Sequence, residues 1–149
     1  GVSSAASDVY KRQGSACKPS VARGCGGGGG IPIAKKGQHF IGVPAVIDKD
    51  RVSALLAIKL QAEALIISTA IDAVRTGFGT EEEKSHRTLT LDECEMHMEA
   101  GEFPAGSMAP KIGSLMEAAL HQPGLQAILC QPGDALEALR GKAGTTIVV

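Results

Sequence analysis

The 149-residue sequence has no tryptophan, one tyrosine and three phenylalanines. Aliphatic side chains must therefore build nearly all of the core, and a domain of this length can bury about 70% of its unfolded surface. No apolar run approaches the ~18 residues that a membrane span needs. The 15 lysines and arginines are balanced by 16 aspartates and glutamates, so the positive surplus that drives nucleic-acid binding is missing. We expect neither a membrane nor a nucleic-acid partner.

Cysteine is scarce and scattered. Cys17, Cys25, Cys94 and Cys130 form no Cys-x-x-Cys pair and no short disulfide framework, which fits reduced thiols and a cytoplasmic location. Cys94 and His97 have the spacing of metal ligands but lack a second pair. We interpret both as ordinary helix residues and predict no metal site.

Several catalytic motifs are also missing. The chain contains no HExxH sequence, no serine in a nucleophile elbow and no glycine-lysine-serine or -threonine of a P-loop. Gly24, Gly26 and Gly29 satisfy GxGxxG, as a glycine run does trivially, but Ile31-Pro32-Ile33 follows and predicts extended backbone where a dinucleotide site needs a helix. These observations exclude a P-loop, a dinucleotide site and the common hydrolase motifs.

Glycine, in contrast, is abundant, with 19 residues. Consecutive glycines let backbone N–H groups approach an anion closely, so the run can cradle a phosphate. A low-complexity linker explains the run equally well when it is taken alone.

Residues 3–13 resemble the in-frame translation of an adapter used to prepare sequencing libraries. A flexible polar N-terminus is the alternative that the composition allows. We expect residues 1–13 to be an artefactual, disordered leader and residues 14–149 to belong to a longer protein.

Helix and strand patterns alternate along the rest of the chain. The apolar run Ala64–Thr69 predicts a central parallel strand buried on both faces, and Thr90 with Glu93 predicts a capping box. Gly77–Ser85 reads as a polar loop whose three glutamates, 81–83, are solvated and have no partner. We also predict a turn at 35–37, strands at 39–41, 125–130 and 145–149, helices at 52–62 and 134–140, and a helix opening at 106–107 with apolar positions Ile112, Leu115, Met116 and Leu120. The fold class is α/β with a largely parallel sheet.

Lysines stand at two predicted helix starts. Lys49 lies between Asp48 and Asp50, and Lys111 follows Pro110 in a first turn. The helix dipole disfavours a cation there, so an anionic ligand is one explanation. A surface salt bridge among residues 48–50 is the other. Two such lysines at one sheet edge indicate a site for phosphoryl transfer.

Three motifs together resemble the carbamate kinases of the amino acid kinase superfamily: 25–32 (CGGGGGIP), 42–50 (GVPAVIDKD) and 103–111 (FPAGSMAPK). The resemblance covers residues 21–149. It implies a three-layer αβα sandwich with a mostly parallel sheet, a homodimer at full length, and reversible phosphoryl transfer between ATP and carbamate with Mg²⁺, through carbamoyl phosphate, in arginine breakdown.

The resemblance also implies roles for individual residues. Lys49 and Lys111 resemble the lysines that neutralise the transferring phosphoryl group, and Asp50 resembles the carboxylate that organises them. The candidates for nucleotide contact are Thr69, Asp72, Val74, Met108 and Pro110. The loop Gly26, Gly27, Gly28 and Gly29 would lie on the phosphoryl-acceptor side.

Carbamate kinases are much longer than this chain, which therefore resembles their C-terminal, nucleotide-binding part, and we expect it to be inactive alone. Two other functions stay open. One is another amino acid kinase, such as an acetylglutamate kinase. The other is a catalytically silent ligand-binding module of the same fold.

Overall fold

A computed structural model describes residues 29–149. The expected leader, 1–13, and the predicted phosphate-loop residues Gly26, Gly27 and Gly28 lie outside this range. The elements, in chain order, are β1 Ile33–Lys36, β2 His39–Gly42, α1 Lys49–Leu60, β3 Ala64–Ser68, β4 Val74–Thr76, β5 Lys84–His86, β6 Thr88–Thr90, α2 Leu91–Glu99, α3 Met108–His121, β7 Gln126–Cys130, α4 Ala135–Leu139 and β8 Thr145–Val148.

The largest sheet has four strands in the order β3-β7-β8-β6. β3 pairs with β7 in parallel, β6 pairs with β8 in parallel, and β7 and β8 are antiparallel. The predicted α/β class with a mostly parallel sheet is confirmed. The prediction that residues 64–69 form a central strand is wrong for the described sheet, since β3 is its outer strand and Ile66 on one face is only half-buried.

The two faces of this sheet are covered unequally. Side chains alternate between the faces along each strand, and those of Leu65, Ile67, Ala127, Leu129 and Ile147 pack in the main core beneath helices α1, α2 and α3. The opposite face carries Ile128 and Cys130, which pack against Ala138 of the five-residue helix α4. Three layers are therefore present, and the short α4 explains why Ile66 stays half-buried.

Local sequence sets the starts of α1 and α2. The Asp48 Oδ1 atom accepts hydrogen bonds from the backbone N–H groups of Asp50 and Arg51, at 2.8 and 3.2 Å. Thr90 and Glu93 form the predicted capping box, with both reciprocal bonds present. Such caps satisfy donors that a helix leaves open at its first turn. α1 ends at Gln61, which adopts a left-handed conformation with φ of 52°.

Helix α3 begins as the sequence predicts, with Pro110 in its first turn, where proline removes no helical hydrogen bond. Ile112 and Leu115 are fully buried, and each contributes on the order of 2 kcal/mol through burial of apolar surface. Leu120, predicted on the same apolar face, is 59% exposed. α3 packs along α1, and this pairing brings the starts of the two helices together.

Two hairpins flank the main sheet. In β1–β2 the turn lies at residues 37–38, with φ of 63° at Gly37, and Lys35 and Lys36 belong to β1 instead of the predicted turn. The β4–β5 hairpin is absent from our predictions. Its second strand begins inside the predicted polar loop, at Lys84. No helix in the described range has the length and apolar character needed to cross a membrane.

Candidate functional site

One carboxylate lies between two lysines at the paired starts of α1 and α3. Lys111 Nζ donates to Asp50 Oδ2 at 2.7 Å, and Lys49 Nζ lies 3.7 Å from the same oxygen. The Asp50 and Lys111 side chains are only 10% and 15% exposed, whereas that of Lys49 is 62% exposed. The structure thus brings together the three residues that the sequence singled out.

Helix geometry explains this arrangement. Asp50 in the first turn of α1 is favoured by the helix dipole, but burying its charge is costly unless a cation pairs with it. Lys111 supplies that cation from α3, across a sequence separation of 61 residues. Asp48, for its part, caps α1. Of the two explanations open from the sequence, a local surface salt bridge accounts only for the longer Lys49–Asp50 contact.

The arrangement has the chemistry of an anion site. Two ammonium groups converge at the positive ends of two helix dipoles, and both features attract phosphate oxygens. Lys111 is held in one position by its short bond to Asp50, while the exposed Lys49 is free to move toward a ligand.

The first described residue of the glycine run lies next to the chain that enters α1. Gly29 has φ of 108°, and a Cβ atom placed there would lie 2.2 Å from the backbone oxygen of Ile47, two residues before Lys49. Only glycine tolerates both the conformation and this approach. Gly29 therefore lies directly against the segment that enters α1.

Thr69 and Asp72 lie just after the carboxyl end of β3. The Thr69 N–H donates to the Cys130 carbonyl at 2.9 Å and extends the β3–β7 pairing by one residue. Asp72 is exposed, and the hydrogen bond from Arg75, at 3.0 Å, lowers the pKa of its carboxyl. Ligands of parallel α/β sheets commonly bind beyond this end of the strands.

Val74 requires a correction. The residue has no exposed surface and packs in the main core. Its N–H donates to the Thr145 hydroxyl at 2.8 Å. In this structure Val74 is a core residue and offers no surface to a nucleotide.

Met108 and Pro110 occupy the first turn of α3. Met108 is half-buried and packs against the main core. Pro110 lines an open groove of about 380 Å³ between α1 and α3, together with Asp48, Arg51, Gly113, Ser114 and Glu117. Met108 and Pro110 thus lie on α3, whereas Thr69 and Asp72 lie in the loop that follows β3.

The sequence did not reveal the polar network of the β4–β5 hairpin. Arg75 pairs with Glu83 at 2.6 Å as well as with Asp72, so the prediction that this glutamate run has no partner is wrong at Glu83. A hydrogen bond from the Gly79 N–H is the main cause that lowers the pKa of the Glu83 carboxyl. The one sign of this network in the sequence is that Arg75 lies between Asp72 and the glutamates 81–83.

Cys94 and His97 both lie on α2 and pack against neighbouring side chains. Cys94 is fully buried, and burial raises the pKa of its thiol to about 11. His97 packs beside His86 and Phe103, with ring centroids 5.6 and 6.1 Å away. Across residues 29–149, no three histidine, cysteine or acidic side chains are grouped to hold a metal ion.

Comparison with known proteins gives the family. Residues 24–129, more than half of the chain, match the model of the amino acid kinase family. The chain belongs to the amino acid kinase family. This result confirms the family resemblance derived from the three motifs, and the fold described above is that of an amino acid kinase in part.

Three relatives of this amino acid kinase chain are carbamate kinases. That of Halobacterium salinarum is 45% identical over 122 residues, covering 82% of this chain and 39% of that protein. That of Clostridium perfringens is 42% identical over 122 residues, with the same coverage of both chains. The structure of carbamate kinase from Giardia lamblia bound to AMP-PNP matches with a TM-score of 0.75 at 35% identity, covering 81% of this chain and 38% of that one. The chain thus spans about two fifths of the length of these relatives.

The residues at the two helix starts fit a nucleotide better than a bare cation. Lys49 and Lys111 offer donors to phosphate oxygens, whereas Asp50 already accepts from Lys111. Mg²⁺ is commonly held by a few carboxylates together with substrate phosphates. An ion at this site would therefore depend mainly on oxygens of the nucleotide.

Proposed function

We propose that this chain is the C-terminal, nucleotide-binding part of a carbamate kinase. The full-length enzyme would transfer a phosphoryl group reversibly between ATP and carbamate, with Mg²⁺. In arginine catabolism it would convert carbamoyl phosphate and ADP into ATP and carbamate, and carbamate then breaks down to CO₂ and NH₃. Membership of the amino acid kinase family and the carbamate kinase relatives support this proposal.

The observation that carries the proposal is the Lys49–Asp50–Lys111 cluster. In phosphoryl transfer, the phosphoryl group passes from one oxygen atom to another, and negative charge is spread over its own three oxygens. The protein contributes mainly by positioning the reactants and neutralising this charge. Lys111 and Lys49 would donate to those oxygens, and Asp50 would keep Lys111 at a fixed position. The low exposure of Asp50 and Lys111 strengthens their electrostatic effect, because water screens buried charges less.

The nucleotide assignment follows the sequence resemblance at four residues. Thr69 and Asp72, which follow β3, and Met108 and Pro110, which begin α3, remain the proposed contacts. The AMP-PNP bound to the Giardia lamblia carbamate kinase supports ATP and ADP as the nucleotides. We further propose a cytoplasmic, homodimeric enzyme at full length.

The decisive experiment measures ATP formation from carbamoyl phosphate and ADP by the full-length protein. We expect Lys111→Ala to lower the rate by about 10²-fold or more, as loss of a charge-stabilising donor does. Lys59→Ala is the matched control, since Lys59 is an exposed lysine in the last turn of α1, and it should retain the wild-type rate. Near wild-type turnover in Lys111→Ala would contradict the role of this lysine.

Substrate comparison separates carbamate kinase from its rivals. A carbamate kinase forms ATP from carbamoyl phosphate and phosphorylates neither acetylglutamate nor aspartate. An acetylglutamate kinase phosphorylates acetylglutamate and does not form ATP from carbamoyl phosphate. A silent module transfers phosphate to none of them. The 149-residue chain alone should bind ADP weakly at most, so ATP synthesis by this chain would show that it already holds a complete site.

A further inference from the structure

The β4–β5 hairpin forms a sheet of its own. Within residues 29–149, neither of its strands joins the four-stranded sheet by backbone pairing. A two-stranded hairpin is at best marginally stable in water. Yet Val74, its first residue, is fully buried in the main core. Other contacts must therefore fix the hairpin in place.

A buried threonine supplies such a contact. Thr145, the first residue of β8, has no exposed surface. Its hydroxyl accepts a hydrogen bond from the Val74 N–H at 2.8 Å and donates to the His86 carbonyl at 2.5 Å. Val74 and His86 are opposite each other in the hairpin register. The same hydroxyl thus holds both strands of the hairpin to the start of β8.

Backbone contacts on either side fix this threonine. Gly144 has φ of 71°, and a Cβ atom there would lie 2.4 Å from the Leu129 carbonyl oxygen. Only glycine allows β8 to start this close to β7. On the other side, the Thr146 N–H donates to the Arg87 carbonyl at 3.0 Å. The Thr145 hydroxyl is therefore presented by a closely constrained stretch of chain.

We propose that Thr145 is a positioning residue for nucleotide binding. Its hydroxyl holds the chain between Thr69 and Val74, including Asp72, in the conformation that meets the nucleotide. The inference rests on the proposed function, because that function assigns this segment to the nucleotide. Valine matches threonine in shape but lacks the hydroxyl, so Thr145→Val leaves the Val74 N–H and the His86 carbonyl without this partner in a buried place.

The test uses the full-length protein with three variants. Thr145→Val removes the bridge, and Thr145→Ser keeps it. Thr146→Val is the matched control, since it makes the same chemical change at the next residue, whose side chain is on the opposite side of β8. The measurements are KM for ADP, kcat, ADP affinity by calorimetry, and amide hydrogen exchange over residues 72–76.

We expect Thr145→Val to raise KM and Kd for ADP about tenfold, the effect of losing a buried hydrogen bond. Its kcat should change less than about threefold, since the lysine cluster is untouched. Exchange at residues 72–76 should accelerate, while β3 and β7 keep their protection. The serine variant and Thr146→Val should both match the wild type.

Unchanged ADP affinity and exchange in Thr145→Val would overturn the proposal, as would an equal loss in Thr146→Val. If Thr145→Val does not fold, Thr145→Ser decides: a folded serine variant with wild-type KM and protected amides supports the role, and one with a raised KM refutes it. Failure of the proposed function would look different, because the wild type itself would not form ATP from carbamoyl phosphate. Calorimetry with ADP would then still report on Thr145.

Discussion

The two polar regions of the proposed site are built in different ways. At the helix starts, the Asp50–Lys111 pair is nearly buried and joins two elements that are far apart in sequence. In the β4–β5 hairpin, Arg75 joins Asp72 and Glu83, which are near it in sequence and more exposed. The first network depends on how helices α1 and α3 pack, and the second on the local course of the chain. We therefore expect the first to respond far more strongly to substitution.

The largest expected effect on stability comes from Asp50→Asn. The substitution leaves the nearly buried Lys111 ammonium without its counter-charge, and loss of one partner of a buried pair costs about 3 kcal/mol. Asp72→Asn is the matched change in the exposed network and should leave stability unaltered within error. Urea unfolding of both variants measures the contrast. Equal effects would remove the distinction between the two regions.

A smaller effect tests how closely the chain fits around the helix starts. Gly29→Ala combines a strained φ with a clash against the Ile47 carbonyl, and we expect a loss of about 2 kcal/mol. Gly37→Ala is the control, because Gly37 also has a positive φ but no atom within 4 Å of the added Cβ, and it should cost about 1 kcal/mol. Thermal unfolding gives both values. A larger loss at Gly37 would contradict the close contact at Gly29.

The smallest expected effect is a pH dependence confined to the hairpin. Burial, followed by the positive charges of Lys84 and His97, lowers the pKa of His86 below its usual value of 6.5, while Glu93 acts in the opposite direction. A lowered pKa means that the unfolded chain binds the proton more readily. The stability that neutral His86 contributes is thus present above pH 6.5 and is lost as the pH falls below it.

His86→Gln should flatten the decline in stability between about pH 6.5 and 5, a window above the range in which carboxylates titrate. His39→Gln, which alters an exposed histidine of β2, is the control and should leave the slope unchanged. The free energy of unfolding measured across this range decides the matter. An unchanged slope in His86→Gln would show that the hairpin does not sense protons through this ring.

The sequence predicted best what depends on neighbouring residues. The Asp48 cap and the Thr90–Glu93 capping box are local patterns, and both are present. The meeting of Lys49 and Lys111 was also foreseeable, since each stands at a helix start and parallel α/β units bring such starts to one edge. The roles of these lysines in phosphoryl transfer stay a prediction.

Contacts between distant residues were beyond sequence reasoning. The Thr145 hydroxyl accepts a hydrogen bond from the Val74 N–H across 71 sequence positions, and no periodicity in the sequence predicts such a contact. The resemblance assigned Val74 to a nucleotide, and the three-residue strand Val74–Thr76 is too short for its alternation to show in the sequence that Val74 belongs to the core. Similarly, the apolar run at β3 does not show that the helix covering one face of the sheet, α4, has only five residues and leaves Ile66 half-buried.

Helix α1 ends at a residue in the left-handed conformation that is not a glycine, although glycine adopts this conformation most easily. Across residues 29–149, Gln61 is the only residue other than glycine with a positive φ. A side chain in that conformation carries a penalty of about 1 kcal/mol, and Gln61→Gly would remove it at the expense of a more disordered unfolded chain. The two effects are opposed and similar in size, so glutamine ends α1 almost as well as glycine would, and this terminus can be redesigned without touching the lysine cluster.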